Sequence, residues 1–294
     1  MSIIGNCQVR PIADALRMIF PDDLIIDICS WDFSDEAYTR EAMAYLRSLD
    51  VQVRMPLVDS PLSTDIIGHA EGQLVIEIPS LTFPAFHPDL VYALGPGGGL
   101  FRGPADFHSA IGLWAWCRGA TVDQAVALFT DAVFAELHYD DYWDASVTSL
   151  REAFDSSDIE FGAFWRNLQR VPLFMHTVNH PTTAAIAAFS KAIAVRLGAT
   201  ADVWGYPLER YLTDYCLGAI WPVYPLVGRR LGIPGAWQWR LDDKQYLGIS
   251  AWLSLCFAAY EGTDPADVVC HRFVGGLYDE VLGPRLDALS GARV

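Results

Sequence analysis

The first eighteen residues constrain the fold most, because they combine a short strand, a sharp turn and a helix. Residues 2–4 are small or β-branched and predict a strand, and apolar residues then recur at helical spacing. Pro11 lies in the first turn of this helix, where its missing N–H costs little. Gly5 and Asn6 are therefore predicted to turn the chain from strand to helix, which puts Cys7 at the helix N-terminus.

The position of Cys7 supports two interpretations. Unpaired backbone N–H groups and the positive end of the helix dipole favour a thiolate there. The same N–H groups would stabilise a developing oxyanion or bind a phosphate. Alternatively, Cys7 is a small apolar residue that closes the turn, since free cysteines are commonly buried and inert. The local sequence leaves both interpretations open.

The following segments extend this start into an α/β subdomain at residues 1–100. A continuous apolar strand at 24–29 follows the first helix, and a strand–helix–strand unit predicts parallel pairing. Further elements are predicted at 34–49 (helix), 51–55 (strand) and 74–79 (strand). The glycine-rich segment 95–99 ends the subdomain, and we interpret it as a connector because it lacks the context of a phosphate-binding loop.

The remainder of the chain, residues 101–294, is predicted to be mainly helical and interdependent with the first subdomain. The predicted helices cover 110–118, 121–135, 147–154, 161–169, 182–197, 207–220, 244–260 and 264–286. The aromatic and proline-rich stretch 221–239 is predicted to be irregular. The predicted fold class is therefore α/β, with an N-terminal βαβ-type parallel-sheet subdomain followed by a predominantly helical region.

Composition excludes several classes of protein. A net charge of −16 argues against general nucleic-acid binding, which needs a surplus of Lys and Arg. With 52% apolar and 19% charged residues, the chain suits a well-packed soluble enzyme. No apolar run approaches the roughly 20 residues of a membrane span, and no secretory signal is expected at the N-terminus. The six cysteines are widely spread, so we expect no disulfide framework, no structural zinc site and a reducing, cytoplasmic location.

Three polar segments are candidates for binding or catalysis. Residues 83–89 contain His87, residues 103–109 contain Asp106, His108 and Ser109, and residues 176–181 contain two histidines. Each has a simpler explanation, since His87 would pack in a turn and Asp106 or Ser109 would cap the next helix.

A metal site is not expected at the third polar segment. His176 and His180 have the i, i+4 spacing of paired ligands, but Pro181 makes His180 extended rather than helical. The glutamate of the usual zinc-protease pattern is absent as well.

A thiolate, an imidazole and an orienting polar residue are the minimum set for covalent acyl transfer. Cys7 supplies the first. His108 or His180 supplies the second, with Asp106 or Asn179 as its orienting partner. A serine hydrolase fits less well, because the sequence has no G-x-S-x-G.

Taken in order, four segments resemble the WcbI family, which is associated with capsular polysaccharide biosynthesis. They are Gly5-Asn6-Cys7-Gln8, residues 78–89 with His87-Pro88-Asp89, residues 103–109, and Asn179-His180-Pro181. The resemblance spans about residues 3 to 230, and no motif is matched beyond that point.

The resemblance implies a cradle-shaped, mostly helical protein built around an α/β subdomain, with a deep pocket for coenzyme A. It also implies an acetyltransferase that acts on a capsular sugar and associates with other polysaccharide-biosynthesis enzymes. The family's cysteine falls at Cys7 and its histidine motifs at His108 and His180. The residues that we expect to bind coenzyme A or acetyl-CoA as cosubstrate are Gly5, Asn6, Gln8, Arg10, Arg102, Ser109, His176 and Lys191, with Arg196 as an alternative to Lys191.

The leading functional hypothesis is an acyl-CoA-dependent O-acyltransferase that acts on a glycan hydroxyl. Cys7 is the nucleophile or shapes the acyl pocket, and His180 or His108 deprotonates the acceptor. Asp106 and Asn179 orient these histidines, and Gln8 with backbone N–H groups stabilises the oxyanion. The alternatives are a cysteine-dependent thioesterase or esterase and a non-catalytic protein that binds coenzyme A or a glycan.

Overall fold

The computed structural model describes residues 1–30, 36–56, 68–241 and 245–291, so the first residues of the helices predicted at 34–49 and 244–260 lie outside it. The strands are β1 (Ser2–Gly5), β2 (Ile26–Cys29), β3 (Val51–Arg54), β4 (Leu74–Glu77), β5 (Leu90–Val91), β6 (His108–Ser109), β7 (Gln238–Arg240) and β8 (Tyr246–Gly248). The α-helices are α1 (Val9–Ile19), α2 (Glu36–Arg47), α3 (Ala110–Cys117), α4 (Val122–Ala127), α5 (Asp131–Glu136), α6 (Tyr142–Asp155), α7 (Phe161–Leu168), α8 (Thr183–Arg196), α9 (Pro225–Leu231), α10 (Ile249–Tyr260) and α11 (Leu277–Gly291).

The N-terminal sheet is parallel, with strand order β2-β1-β3-β4. Each strand has four residues, and helices separate β1 from β2 and β2 from β3. A parallel sheet with long connections followed by many helices confirms the predicted α/β class.

The strand order changes direction at β1. The chain leaves β1 through α1 to reach β2 on one side, and then passes through α2 to reach β3 on the other side. In sheets of this kind, ligands bind beyond the carboxyl ends of the strands at such a switch point. The turn that carries Cys7 directly follows β1 and therefore lies at this position.

Contacts on both sides of β1 stabilise this turn. Ile4 packs with Met43 and Leu46 of α2. Helix α1 packs against α8 and buries Ile12 and Leu16 completely. Full burial of an aliphatic side chain contributes about 1.5–3 kcal/mol, so each of these contacts favours a fixed position of the strand and helix.

The described chain forms two compact units that are interleaved in sequence. The first unit comprises Met1–Phe83 and Val147–Leu217, and the second comprises Pro84–Ser146 and Gly218–Val294. This division differs from the predicted boundary near residue 100. The sheet belongs to the first unit, whose second segment carries α7 and α8.

A cluster of large aromatic side chains forms part of the core of the second unit. Trp239 and Trp252 are fully buried and stack with ring centroids 5.5 Å apart, and Trp221 meets both rings edge-on. The stretch 221–239 is therefore ordered by packing, and it contains α9 and most of β7 rather than the predicted irregular connection.

Two helix predictions in the second unit are wrong in extent. The helix predicted at 121–135 is two helices, because the Thr130 side chain accepts a hydrogen bond from the Val133 N–H and begins α5. The helix predicted at 264–286 begins only at Leu277. Before it, Gly275 and Gly276 have positive φ angles of 91° and 81°, which an α-helix does not allow.

The predicted helix at 207–220 is absent, apart from a short 3₁₀ turn at Leu208–Arg210. The side chain of Asp214 binds a histidine of another segment instead, so tertiary contacts override the local pattern here. None of the helices in the described ranges combines the length and apolar character needed to cross a bilayer.

Candidate functional site

Asn6 shapes the turn between β1 and α1. Its side-chain Oδ1 accepts a hydrogen bond from the Gln8 N–H at 3.0 Å, and its carbonyl accepts one from the Val9 N–H at 3.1 Å. The Asn6 Nδ2 donates to Ser80 Oγ at 2.7 Å. Two of the backbone N–H groups that the sequence suggested for a ligand are therefore bound within the turn.

Position 5 requires glycine because Met55 lies very close to its backbone, and not because its φ angle is unusual. A Cβ atom at this position would lie 2.8 Å from Met55, which directly follows β3. The Met55 N–H also donates to the Ile4 carbonyl at 2.8 Å, so backbone and side chain both hold Met55 against the end of β1. Any larger residue at position 5 would displace the turn that carries Cys7.

Gln8 ties this turn to two other segments. Its side chain is fully buried, and its Nε2 donates to the Leu81 and Asn179 carbonyls, both at 2.9 Å. Its Oε1 accepts from the Leu81 N–H at 3.0 Å. Because both amide protons are used, Gln8 has no donor for the oxyanion assigned to it from the sequence. It acts as a positioning residue between Cys7 and Asn179.

The segment 174–182 forms a tight loop that presents His180. The His176 N–H donates to the His180 carbonyl at 2.7 Å, and the Thr182 N–H donates to the Phe174 carbonyl at 3.0 Å. Thr182 also caps α8 through its side chain, so the loop continues into a rigid helix. Asn179 lies beside His180 in this loop and accepts hydrogen bonds from Gln8 and, at 3.3 Å, from the Thr177 hydroxyl.

The Cys7 sulfur lies within hydrogen-bonding distance of two side chains from distant segments, Cys216 and His180. The Cys216 S–H donates to the Cys7 sulfur and lowers its pKa. Burial opposes this change and raises the pKa. The hydrogen bond from His180, its charge and the backbone N–H of Cys7 lower the pKa further. The net result is a pKa well below the ordinary value of 9.0, so Cys7 is a thiolate near neutral pH.

The tripeptide Asp214-Tyr215-Cys216 completes the site, and sequence reasoning missed it. Asp214 Oδ2 accepts a hydrogen bond from His176 Nε2 at 2.8 Å. The Arg10 guanidinium lies 4.9 Å from the centre of the Tyr215 ring. No local motif marks these residues, which lie in a stretch that the sequence predicted as helix.

Arg10 is exposed and follows Cys7 by three residues at the start of α1. Its cation lies over the ring of Tyr215, the neighbour of Cys216, and a guanidinium suits an anionic group of a ligand.

Two of the predicted residues of the second unit, His108 and Ser109, are buried and hydrogen-bonded within it. His108 is fully buried, and its Nε2 donates to the Phe101 carbonyl at 2.9 Å while its Nδ1 accepts from the Tyr260 hydroxyl at 2.6 Å. Burial lowers the pKa of His108, so the imidazole stays neutral with both nitrogens bound. Ser109 caps α3 by accepting from the Gly112 N–H at 3.0 Å. Asp106 is exposed beside Arg102, 3.4 Å away.

Asp89 is the buried carboxylate of the second unit. It accepts hydrogen bonds from the Ile111 N–H at 3.0 Å and from the Tyr139 and Tyr224 hydroxyls, both at 2.9 Å. Burial raises the pKa of Asp89 to about 6 against these hydrogen bonds. The residue joins β5, α3 and the aromatic cluster, which gives the His87-Pro88-Asp89 segment a structural role.

Lys191 lies in a separate part of the first unit. It lines a cavity of about 250 Å³ together with Asn167, Ala188 and Glu209, and burial lowers its pKa. Its ammonium donates to the Trp204 carbonyl at 3.5 Å. Across the described ranges, no three His, Cys, Asp or Glu side chains are grouped so that they would hold a metal ion.

Comparison with known proteins shows a family and a fold. The chain matches the family model of WcbI, described as a polysaccharide biosynthesis enzyme, over residues 1–202. A solved structure matches with a TM-score of 0.73 and 15% sequence identity, and the match covers 97% of this chain and 97% of that chain. That structure is described as native WcbI without a disulfide bond between coenzyme A and one of its cysteines. No curated protein sequence matches this chain.

The two matches carry different information. At 15% identity, the structural match shows that the fold is shared. The family match is independent of it, covers well over half of the chain and includes Cys7 and His180. It confirms the resemblance drawn from the sequence motifs: the chain belongs to the WcbI family of polysaccharide biosynthesis enzymes.

Proposed function

We propose that this protein is an acyl-CoA-dependent O-acyltransferase that transfers an acetyl group to a hydroxyl of a polysaccharide or its sugar precursor. The observation that carries the proposal is the hydrogen bond between Cys7 and His180 at the carboxyl end of β1. A thiolate paired with an imidazolium is the arrangement that cysteine-dependent acyl transfer needs. Membership of a polysaccharide biosynthesis family supplies the class of acceptor.

The first half-reaction loads the cysteine. The Cys7 thiolate attacks the thioester carbonyl, the new carbon–sulfur bond forms, and the bond to the coenzyme A sulfur breaks. His180 gives its proton to the departing coenzyme A thiolate and becomes neutral. Because Cys7 is half-buried, its sulfur has lost part of its water shell, which favours attack on the carbonyl.

The second half-reaction transfers the acyl group to the acceptor. The neutral His180 accepts the proton of the acceptor hydroxyl, and the oxygen attacks the Cys7 thioester. The ester leaves, Cys7 returns to a thiolate and His180 to an imidazolium, so the cycle closes with charge and protons balanced. Asn179 and Gln8 hold the His180 loop against the turn and position both groups.

Two observations support coenzyme A as the cosubstrate. The related structure is described as native WcbI without a disulfide bond between coenzyme A and one of its cysteines, and Cys7 is the thiol with a lowered pKa here. Arg10, whose guanidinium lies over the ring of Tyr215 beside Cys216, provides a cation for a phosphate.

Intact-mass measurement after incubation with acetyl-CoA tests the proposal. We expect the mass of one acetyl group to be added to the wild-type protein, on the peptide that contains Cys7. The Cys7→Ser variant should lose the adduct, and Cys29→Ser, at a second half-buried cysteine of the same sheet, should keep it.

Turnover of acetyl-CoA with a glycan acceptor should fall in parallel with the adduct. Full turnover in Cys7→Ser would contradict the covalent route. Release of free acetate without any acceptor would instead identify a thioesterase.

A further inference from the structure

Cys216 is a second thiol in direct contact with Cys7 that the acyl transfer does not require. Its side chain is 3% exposed, and its S–H donates to the Cys7 sulfur. Both cysteines are free, and both lie in the first unit. Two thiols in contact, one half-buried and one buried, form the arrangement of an attacking and a resolving cysteine.

The contact is held by the residues on the N-terminal side of Cys216. Asp214 accepts a hydrogen bond from His176 at 2.8 Å, and this histidine belongs to the loop that presents His180. The Tyr215 ring lies under the Arg10 guanidinium at 4.9 Å, one helical turn after Cys7. Two independent side-chain contacts therefore fix the segment against the elements that carry Cys7 and His180, so the two sulfurs meet without a change of fold.

We propose that Cys7 and Cys216 form a redox-active dithiol that closes to an intramolecular disulfide by exchange with a small disulfide. The Cys7 thiolate attacks one sulfur of the small disulfide, a mixed disulfide forms on Cys7, and the first small thiol leaves with a proton from His180. The Cys216 sulfur then attacks the Cys7 sulfur, and the second small thiol leaves with the proton that Cys216 gives up. One small disulfide and two protein thiols become one protein disulfide and two small thiols.

The order of attack follows from exposure and charge. Cys7 is half-buried and a thiolate, so it meets the small disulfide first, whereas Cys216 is sealed behind it. Closure of the disulfide removes the sulfur that the proposed acyl transfer needs, and a reducing thiol restores it. The dithiol thus links the activity of the site to the redox state of its surroundings. The exchange itself does not depend on the acyl transfer.

The other described thiols fit this chemistry less well. Cys117, Cys256 and Cys270 belong to the second unit, whereas Cys7 and Cys216 both belong to the first. Cys29 is the rival partner, because it pairs in register with Gly5 and is half-buried. The experiment therefore has to identify which cysteine closes on Cys7.

Oxidised glutathione is a suitable probe, and peptide mapping of the treated wild-type protein is the measurement. We expect a peptide in which Cys7 is linked to Cys216, an intact mass lower by two hydrogens, and full reversal by a reducing thiol. In Cys216→Ser the glutathione adduct should persist on Cys7, and in Cys7→Ser neither product should form. Cys29→Ser is the matched control and should behave like the wild-type protein.

Two results would overturn the inference. One is a wild-type protein that keeps glutathione on Cys7 with no internal disulfide, and the other is a linkage of Cys7 to Cys29. Both are seen without any variant, so poor folding of Cys216→Ser does not affect the outcome. A disulfide in a protein that takes no acetyl group would leave this inference standing and remove the acyl transfer, and the reverse pattern would do the opposite.

Discussion

The Cys7 site of the first unit and the Asp89–His108 region of the second unit look alike in sequence and differ in structure. Both place a histidine and a carboxylate or thiol in loops that lead into helices. In the second unit His108 and Asp89 are fully buried, and each is held by at least two hydrogen bonds. In the first unit Cys7 and His180 are half-buried, and the thiol carries a lowered pKa.

This difference separates a structural polar cluster from a chemical one. A buried group whose donors and acceptors are all satisfied stabilises one arrangement. It has no free donor or acceptor with which to bind a substrate. A half-buried thiolate remains accessible to a substrate, and the imidazole beside it can transfer a proton. The comparison predicts that variants in the two units affect different measurements.

The largest expected effect is on turnover. We expect His180→Ala to lower acetyl transfer by about 10² to 10³, because the loss of a positioned acid–base group has this magnitude. The matched variant His108→Gln should leave the turnover of the folded protein within a few-fold of wild type. Steady-state rates per folded molecule are the measurement, and equal losses in both variants would break the comparison.

The next effect is on stability, and it belongs to the second unit. Asp89→Ala leaves the Tyr139 and Tyr224 hydroxyls and the Ile111 N–H without their acceptor. We expect the free energy of unfolding to fall by about 3 kcal/mol, since each buried unsatisfied group costs about 1–3 kcal/mol. Asp106→Ala, at an exposed carboxylate, is the control and should change it by less than about 0.5 kcal/mol. Denaturant titration gives both values.

A smaller effect is expected on the reactivity of Cys7. Removing the hydrogen bond from Cys216 in Cys216→Ala raises the pKa of Cys7, so less thiolate is present at mildly acidic pH. We expect the rate of Cys7 alkylation by iodoacetamide at about pH 6 to fall by about twofold, because a rise of one unit from a pKa of about 5 lowers the thiolate fraction from about 0.9 to about 0.5. Cys117→Ala should leave this rate unchanged. An unchanged rate in Cys216→Ala would show that His180 alone maintains the thiolate.

The last effect is the pH dependence that Asp89 gives to stability. Its pKa is about 6 in the folded protein and 3.8 as a free side chain, so the folded state binds the proton more tightly. This contribution to stability is fully present below 3.8 and is lost as the pH rises through about 6. Relative to Asp89→Asn, which cannot titrate, the wild-type free energy of unfolding should fall across this window. A difference that stays constant with pH would contradict the raised pKa.

Much of the first unit follows from neighbouring residues alone. The strand at 2–4, the turn at Gly5 and Asn6 and the helix after Cys7 are visible in sequence, because strand, turn and helix patterns are local. A helix cap at Asp106 or Ser109 was predicted for the same reason, and Ser109 caps α3. The order of four short motifs was enough to indicate the family, although each motif alone is weak.

The partners of Cys7 were decided only by the tertiary structure. The sequence offered His108 and His180 as equal candidates, and Cys216 and Asp214 carried no local signal. The fold places His180 and Cys216 beside Cys7, and it buries His108 in the second unit with both nitrogens bound. The sequence by itself determined that Cys7 lies between β1 and the N-terminus of α1, because a strand, a turn and a helix N-terminus are neighbours along the chain. The groups that hydrogen-bond to the Cys7 sulfur lie on segments that meet only when the first unit packs. No local sequence pattern predicts such contacts.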